Sequence, residues 1–338
     1  MAQLTIYVPS LFLDVFEHTH ANVDSKRWPI VALLCARARV ARLENDSGER
    51  VLLGLCGVDA QDLAEVSVAA LTRLIDFDDV APEGMFRADP VHLRADPNQI
   101  LLFNDPSIMP SAAEADALLE TLNLGLPRLN FGRGRHPGRW YFRPVTGAIT
   151  TTSPQIANGR SVTELMPRGE AAGEFAQLMN ESQMLLHDTS VNQERESRGA
   201  PVINSIWPWG GGRSDRPAVV YPDLLVGDDV LLAGIARKWS TDWINAIEPD
   251  ELLARLVREK GNGLVLFGSP NGCLEDRDPV AGIEDFERQW GSVLLNALRR
   301  FRLRELCIVT DRHCYRITPW DLLKIWRKPS PASKTNYG

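Results

Sequence analysis

A chain of 338 residues that is 44% apolar and 24% charged is ordinary globular material. A chain of this size can bury about 75% of its unfolded surface, in one large domain or two smaller ones. Its formal net charge of -7 and pI near 5.5 exclude a general attraction for nucleic acid or anionic lipid, whose phosphates are met by cationic surfaces.

The N-terminal stretch MAQLTIYVPSLFLDVFEHTH carries no basic leader and no small-residue cleavage site, and the apolar run from Pro29 to Leu43 is broken by Arg37, Arg39 and Arg42. Neither secretion nor membrane spanning is expected. Five cysteines, Cys35, Cys56, Cys273, Cys307 and Cys314, are widely spread and form no C-x-x-C pair, the pattern of reduced thiols in a cytoplasmic protein.

In chain order, apolar runs predict strands at Leu4 to Val8, Ile100 to Phe103, Trp140 to Phe142, Val202 to Trp207, Leu264 to Phe267 and Leu306 to Val309. Ser111 with Glu114 is a capping-box pattern ahead of a helix to about Leu124. A second helix is predicted from Glu170 to His187, with Phe175, Leu178, Met179, Ser182, Leu185 and Leu186 on one face. The acidic run Asp223 to Asp229 reads as a helix entrance, where carboxylates favour the positive end of the dipole. A later helix carries Ile283, Phe286, Trp290, Leu294, Leu298 and Phe301 on its apolar side. Strand, helix, strand from Leu264 to Val309 suits a βαβ crossover, so the expected fold is α/β, with a mainly parallel sheet covered by helices on both faces.

The chain is expected to be a single α/β unit over 1–328, with two lobes joined near 104–139 as the alternative because that stretch is rich in Pro, Gly and Arg. The Pro-, Ser- and Lys-rich residues 329–338 read as a disordered tail.

The segment NQERESRGAPVINSIWPWGGGR, Asn192 to Arg213, is the most informative. Asn192 and Arg195 fall one helical turn apart, and Arg195, Arg198 and Arg213 supply guanidinium forks suited to phosphate or carboxylate. Beside that anion-site reading stands a plainer one, a solvated helix face pairing Arg195 and Arg198 with Glu194, Glu196 and Asp188. Asn204 lies in the strand that ends at Trp209. It leads into Gly210, Gly211 and Gly212, whose backbone N–H groups either approach a ligand or make a turn. Trp207 and Trp209 read as core residues.

N-x-x-R-x-x-x-G followed by N-x-I-W-x-W-G-x-G resembles a signature of the archaeal-type cofactor-independent phosphoglycerate mutases, of the alkaline phosphatase superfamily. RADPVHLRAD (Arg87 to Asp96), NESQMLLHD (Asn180 to Asp188) and the late IWR extend the resemblance to a bacterial group of RpfE-type regulatory, phosphoglycerate-mutase-like proteins. The resemblance implies an alkaline phosphatase-like core and a small-anion site at Asn192, Arg195, Asn204, Gly210, Gly211, Gly212 and Arg213.

It also implies two divalent metals and a serine nucleophile, and here the sequence departs from the family. The first strand runs into Pro9, Ser10, Leu11 and Phe12 where the family has an Asp-Gly pair, and GSPNGCLEDRD after Phe267 has no histidine. The family's late Gly-Asp-His element is echoed only by Thr310, Asp311, Arg312 and His313. Ser10 is the one candidate nucleophile. Asp311 and His313 are the candidate metal ligands, since residues two apart on a strand share a face. His18 and His20 form a close pair lacking a third ligand.

The expected protein therefore binds a phosphorylated or carboxylated metabolite, without mutase activity and without a required cofactor. The alternatives are an active Mn2+- or Zn2+-dependent phosphatase or phosphomutase drawing on Asp311, His313, Asp14 or Asp276, and a protein-interaction module presenting Trp320 and Trp326.

Overall fold

The computed structural model describes residues 2–9, 27–43, 47–79, 84–143, 149–213, 222–268 and 279–327. They belong to two compact units, Met1–Val58 with Pro217–Gly338, and Asp59–Arg216. Ser10, Asp14, His18, His20, Cys273, Asp276 and the tail 329–338 lie outside the described residues.

In the first unit the described residues form a seven-stranded sheet in the order Asp242–Ile244, Leu224–Val226, Asn262–Leu266, Ala2–Tyr7, Leu303–Val309, His313–Ile317 and Arg39–Arg42. The first five strands and the edge strand Arg39–Arg42 run in one direction and His313–Ile317 is reversed between them, which makes the sheet mainly parallel as the sequence predicts. Ala2–Tyr7 lies in the middle and is buried on both sides, as strands of a covered parallel sheet are. Leu4 and Ile6 share a core with Val31, Leu252, Leu294 and Leu298 from helices Pro29–Arg37, Pro249–Glu259 and Ser292–Arg299. Thr5 and Tyr7, pointing to the opposite face, are buried as well. The strands of the predicted crossover, Asn262–Leu266 and Leu303–Val309, do run parallel, but they flank Ala2–Tyr7 instead of pairing with each other. The helix predicted through Phe301 is Pro279–Phe286, a π-helical turn Glu287–Gly291 and Ser292–Arg299. Phe301 falls beyond its end with φ 54° and is 46% exposed, so it leaves the apolar face assigned to it.

In the second unit an antiparallel sheet is built around Phe86–Asp96, which pairs with Gln99–Phe103, Trp140–Phe142 and Ser205–Trp209. Helices Ala112–Gly125 and Ala172–His187 cover it through Leu118, Leu122, Phe175, Leu178 and Leu186. The capping box is formed: the Ser111 N–H donates to Glu114 Oε2 at 2.7 Å, and the Glu114 N–H donates to Ser111 Oγ at 3.2 Å. The stretch 104–139 lies inside this unit, and the chain changes units after Val58 and again before Pro217. Proline and glycine there shape turns between packed elements. Among the described residues no helix is long and apolar enough to cross a membrane.

Candidate functional site

The residues singled out between Asn192 and Arg213 do not form one site. Asn192, on helix Ser190–Ser197, is buried; its Nδ2 donates to the carbonyls of Leu186 and Ile203 at 2.8 and 2.9 Å and its Oδ1 accepts the Ile203 N–H at 2.9 Å. Asn204 imitates a strand residue, accepting the Leu93 N–H at 2.7 Å and donating to the Leu93 carbonyl at 2.8 Å. Arg195 is 2% exposed. Its Nε donates to the Pro201 carbonyl at 2.7 Å, Nη2 to the carbonyls of Ser107 and Ile108 at 3.1 Å each, and Nη1 to Glu114 at 3.2 Å. A buried guanidinium so engaged clamps a loop and two helices together, and an anion would have to displace protein acceptors to reach it.

Arg198 also turns to Glu114, at 2.5 Å, so the partner of both arginines is this distant residue and not Glu194, Glu196 or Asp188. Burial works to raise the Glu114 pKa, but the Ser111 N–H and the Arg195 charge outweigh it and hold it below the ordinary 4.5. A carboxylate with a depressed folded pKa stabilises the fold above the unfolded value and loses that contribution as pH falls through the folded one. The urea midpoint of the wild type is therefore expected to fall more steeply below about pH 4.5 than that of Glu114→Gln. Equal slopes would rule out this linkage.

The glycines sit at the far end of the strand, roughly 20 Å from Asn204 at a strand's rise per residue. Gly210 (φ 73°) accepts the Ala69 N–H at 2.8 Å through its carbonyl. Side chains are excluded here: a Cβ on Gly211 would lie 2.1 Å from the Phe86 ring, and one on Gly212 would lie 2.3 Å from the Glu65 carbonyl oxygen. The Gly-rich run is thus a tight turn against 65–69. Arg213 is exposed, 3.9 Å from Glu65 Oε2.

The RADPV stretch, weak by itself in sequence, holds a buried ion pair. Arg87 donates to Asp89 through Nε at 2.9 Å and Nη2 at 2.7 Å, and Trp209 Nε1 donates to the same carboxylate at 2.9 Å. The Arg87 guanidinium lies 4.8 Å from the Trp209 ring centroid. Asp76 is gripped similarly by Arg139, at 2.7 and 2.8 Å, and by the Tyr141 hydroxyl at 2.7 Å. Trp207 and Trp209 are core residues, as their sequence predicts.

At the carboxyl ends of the parallel strands, Tyr7 and Asp311 meet: the buried phenol donates to Asp311 Oδ1 at 2.5 Å. Burial, reinforced by the Asp311 charge, pushes the Tyr7 pKa up, so the phenol stays protonated as a donor. Asp229 nearby caps helix Val230–Trp239, accepting from the N–H groups of Leu231 at 2.8 Å and Leu232 at 3.0 Å. Among the described residues no group of three or more His, Cys, Asp or Glu side chains is placed to hold a metal ion. The phenol thus takes up one oxygen of Asp311, one of the two candidate metal ligands. In the second unit, His92 Nδ1 meets the Val202 carbonyl at 2.9 Å, and His136 Nδ1 accepts the Gly138 N–H at 3.2 Å.

Two cavities have opposite character. One of about 510 Å³ lies at the carboxyl ends of Leu224–Val226 and Asn262–Leu266, with Asp228, Glu248 and Glu251 in its wall. The other, about 550 Å³, belongs to the second unit and is lined by Arg73, Arg128 and Arg143 above Phe77, Met85 and Phe131. Local pattern could not reveal these arginines, because Arg73 lies far in sequence from Arg128 and Arg143 and only the fold brings them together.

No family model matches the chain. Over 139 residues it is 34% identical to a probable 2,3-bisphosphoglycerate-independent phosphoglycerate mutase of Geobacter sulfurreducens, a match taking in 39% of this chain and 34% of that protein. The 2,3-bisphosphoglycerate-independent phosphoglycerate mutase of Methanosarcina barkeri is 33% identical over 114 residues, 31% of this chain and 28% of that protein. The match thus spans about a third of the length of these relatives. The PH0037 protein of Pyrococcus horikoshii shares the fold, with a TM-score of 0.51 at 11% identity over 94% of this chain and 87% of that one. Over the matched stretches the chain is similar in sequence to the cofactor-independent phosphoglycerate mutases, and in that sense it is a phosphoglycerate mutase-like protein.

Proposed function

We propose that this phosphoglycerate mutase-like protein binds a phosphorylated or carboxylated metabolite without interconverting it, in a regulatory role in the cytoplasm, and that its finer kinship is with the RpfE-type bacterial group. The observation that carries this reading is the Tyr7–Asp311 contact, 2.5 Å long, which occupies the carboxylate nearest to the family's late metal-ligand element. It stands beside a first strand that ends in Pro9 and Ser10 without the family's Asp-Gly pair. Two-metal phosphoryl transfer needs a clamp on both the attacking and leaving oxygens, which these positions do not supply. No metal cofactor is required for the proposed role, and Mn2+ or Zn2+ belongs to the active-enzyme alternative.

The test pairs binding with turnover. 3-Phosphoglycerate or phenyl phosphate at millimolar concentration is expected to raise the Tm, because a ligand of the folded state stabilises it. No 2-phosphoglycerate should form with or without Mn2+ or Zn2+. Steady mutase turnover abolished by Asp311→Ala would replace this reading with the metal-dependent enzyme, and no Tm shift with either compound would remove the binding role.

A second reading, a protein-interaction surface, is favoured by one observation: Trp320 (69%), Leu323 (63%), Ile325 (72%) and Trp326 (73%) are exposed close together in sequence. An apolar run left in water marks a contact surface more often than isolated exposed residues do.

A further inference from the structure

The second-unit cavity assembles its charge from separate elements. Arg73, on helix Val68–Asp76, is already committed, ion-paired with Asp79 and stacked 4.4 Å from the Phe77 ring centroid. Arg128 and Arg143 are exposed, and no carboxylate lines the cavity among the described residues. The Arg143 N–H donates to the Leu129 carbonyl at 3.4 Å, which draws the two arginine-bearing segments side by side.

The wall beneath them is held in place. Asn123, from helix Ala112–Gly125, grips Phe131 in both directions, accepting its N–H at 2.7 Å and donating to its carbonyl at 2.9 Å. Asn130 takes a left-handed φ of 49° to turn the chain there. At Gly132 a Cβ would lie 3.3 Å from the Phe77 ring, tighter than ordinary contact, so glycine lets that ring seat against the wall. The Tyr141 hydroxyl is engaged by Asp76 at 2.7 Å, and the rim offers the guanidinium groups of Arg128 and Arg143 beside Asn130.

Two guanidinium groups with no carboxylate facing them among the described residues select an anion, and they bind phosphate or carboxylate through paired N–H donors. The floor of Phe77, Met85 and Phe131 favours carbon over water. A volume of about 550 Å³ falls within the range of small-molecule sites. The other cavity, walled by Asp228, Glu248 and Glu251, repels such a ligand.

We propose that this cavity binds a small organic anion, a phosphate monoester or carboxylate carried on an apolar body, with Arg128 and Arg143 on the anionic group and Phe77, Met85 and Phe131 under the apolar part. The assignment rests on the reading that the protein binds an anionic metabolite, and adds the place and the ligand class.

Titration calorimetry on the full chain, with phenyl phosphate, inorganic phosphate and 3-phosphoglycerate as probes, tests it. Phenyl phosphate is expected to bind at least about tenfold more tightly than inorganic phosphate, the difference being the buried ring. Arg128→Gln with Arg143→Gln should weaken it on the order of 100-fold, about tenfold for each charge-assisted contact. Both arginines are exposed, so the double variant should keep its Tm, and that is measured alongside. Equal binding of phenyl phosphate by wild type and double variant would overturn the site while leaving the anion-binding reading intact. Equal affinity for phenyl and inorganic phosphate, or binding of 3-phosphoglycerate alone, would overturn the ligand class. Failure of all three probes to bind would overturn the site and the anion-binding reading together.

Discussion

Arg195→Ala is expected to lose about 3–5 kcal/mol of stability, the cost of breaking a buried charged contact from one side. The truncation removes the donors to the Pro201, Ser107 and Ile108 carbonyls and strips Glu114 of one of its two guanidinium partners. Buried carbonyls left without a donor each cost free energy of their own. Thermal unfolding should fall by about 10 °C for a unit of this size. Arg195→Lys should recover less than half of the loss, because a point charge cannot span three carbonyls and a carboxylate as a planar fork does. If instead Arg195→Ala melted with the wild type and lost phosphate or carboxylate binding, Arg195 would belong to a ligand site, as its sequence context implies.

Asp89→Ala is expected to cost a similar 3–5 kcal/mol, measured by urea unfolding. It strands the Arg87 guanidinium, whose side chain is 5% exposed, in a core with no counter-charge, and it leaves Trp209 Nε1 without its acceptor. The pair itself adds little net stability. Arg87 Nη1 is buried and has no hydrogen-bond partner among the described residues, so desolvation is incompletely offset even in the native state. Arg87→Met combined with Asp89→Leu should therefore fold within about 2 kcal/mol of wild type, giving a large coupling energy in the double-mutant cycle. Additive losses in the double variant would mean that Arg87 and Asp89 are not energetically coupled, and would overturn this account of the pair.

Both predictions concern residues whose neighbours in sequence misdirect. Arg195 sits among Glu194, Glu196 and Asp188, and an intrahelical ion pair is the natural expectation there; its actual carboxylate is 81 positions away. RADPVHLRAD has proline and charges at positions where a strand is normally apolar, so it does not read as a strand. It becomes the centre of the second unit's sheet because Arg87 and Asp89 neutralise each other on one face and Pro90 is carried without breaking the pairing with Ser205–Trp209.

What the sequence by itself determined were the features set by adjacent residues: the buried first strand, the Ser111–Glu114 cap, the helix entrance at the Asp229 end of the run Asp223 to Asp229 though not the strand Leu224–Val226 within it, the burial of Trp207 and Trp209, and the α/β class with its mainly parallel sheet. Each depends on periodicity or on a hydrogen bond spanning three or four residues, and such interactions survive without knowledge of the rest of the chain. Only the tertiary structure decided how polar groups are shared. It spent Asn192, Arg195 and Asn204 on carbonyls and a carboxylate, closed Tyr7 onto Asp311 304 positions away, and brought Arg128 and Arg143 together over an apolar floor. Donors and acceptors buried by folding must find partners wherever the topology brings them, so the role of a polar residue depends on long-range packing that local sequence does not encode.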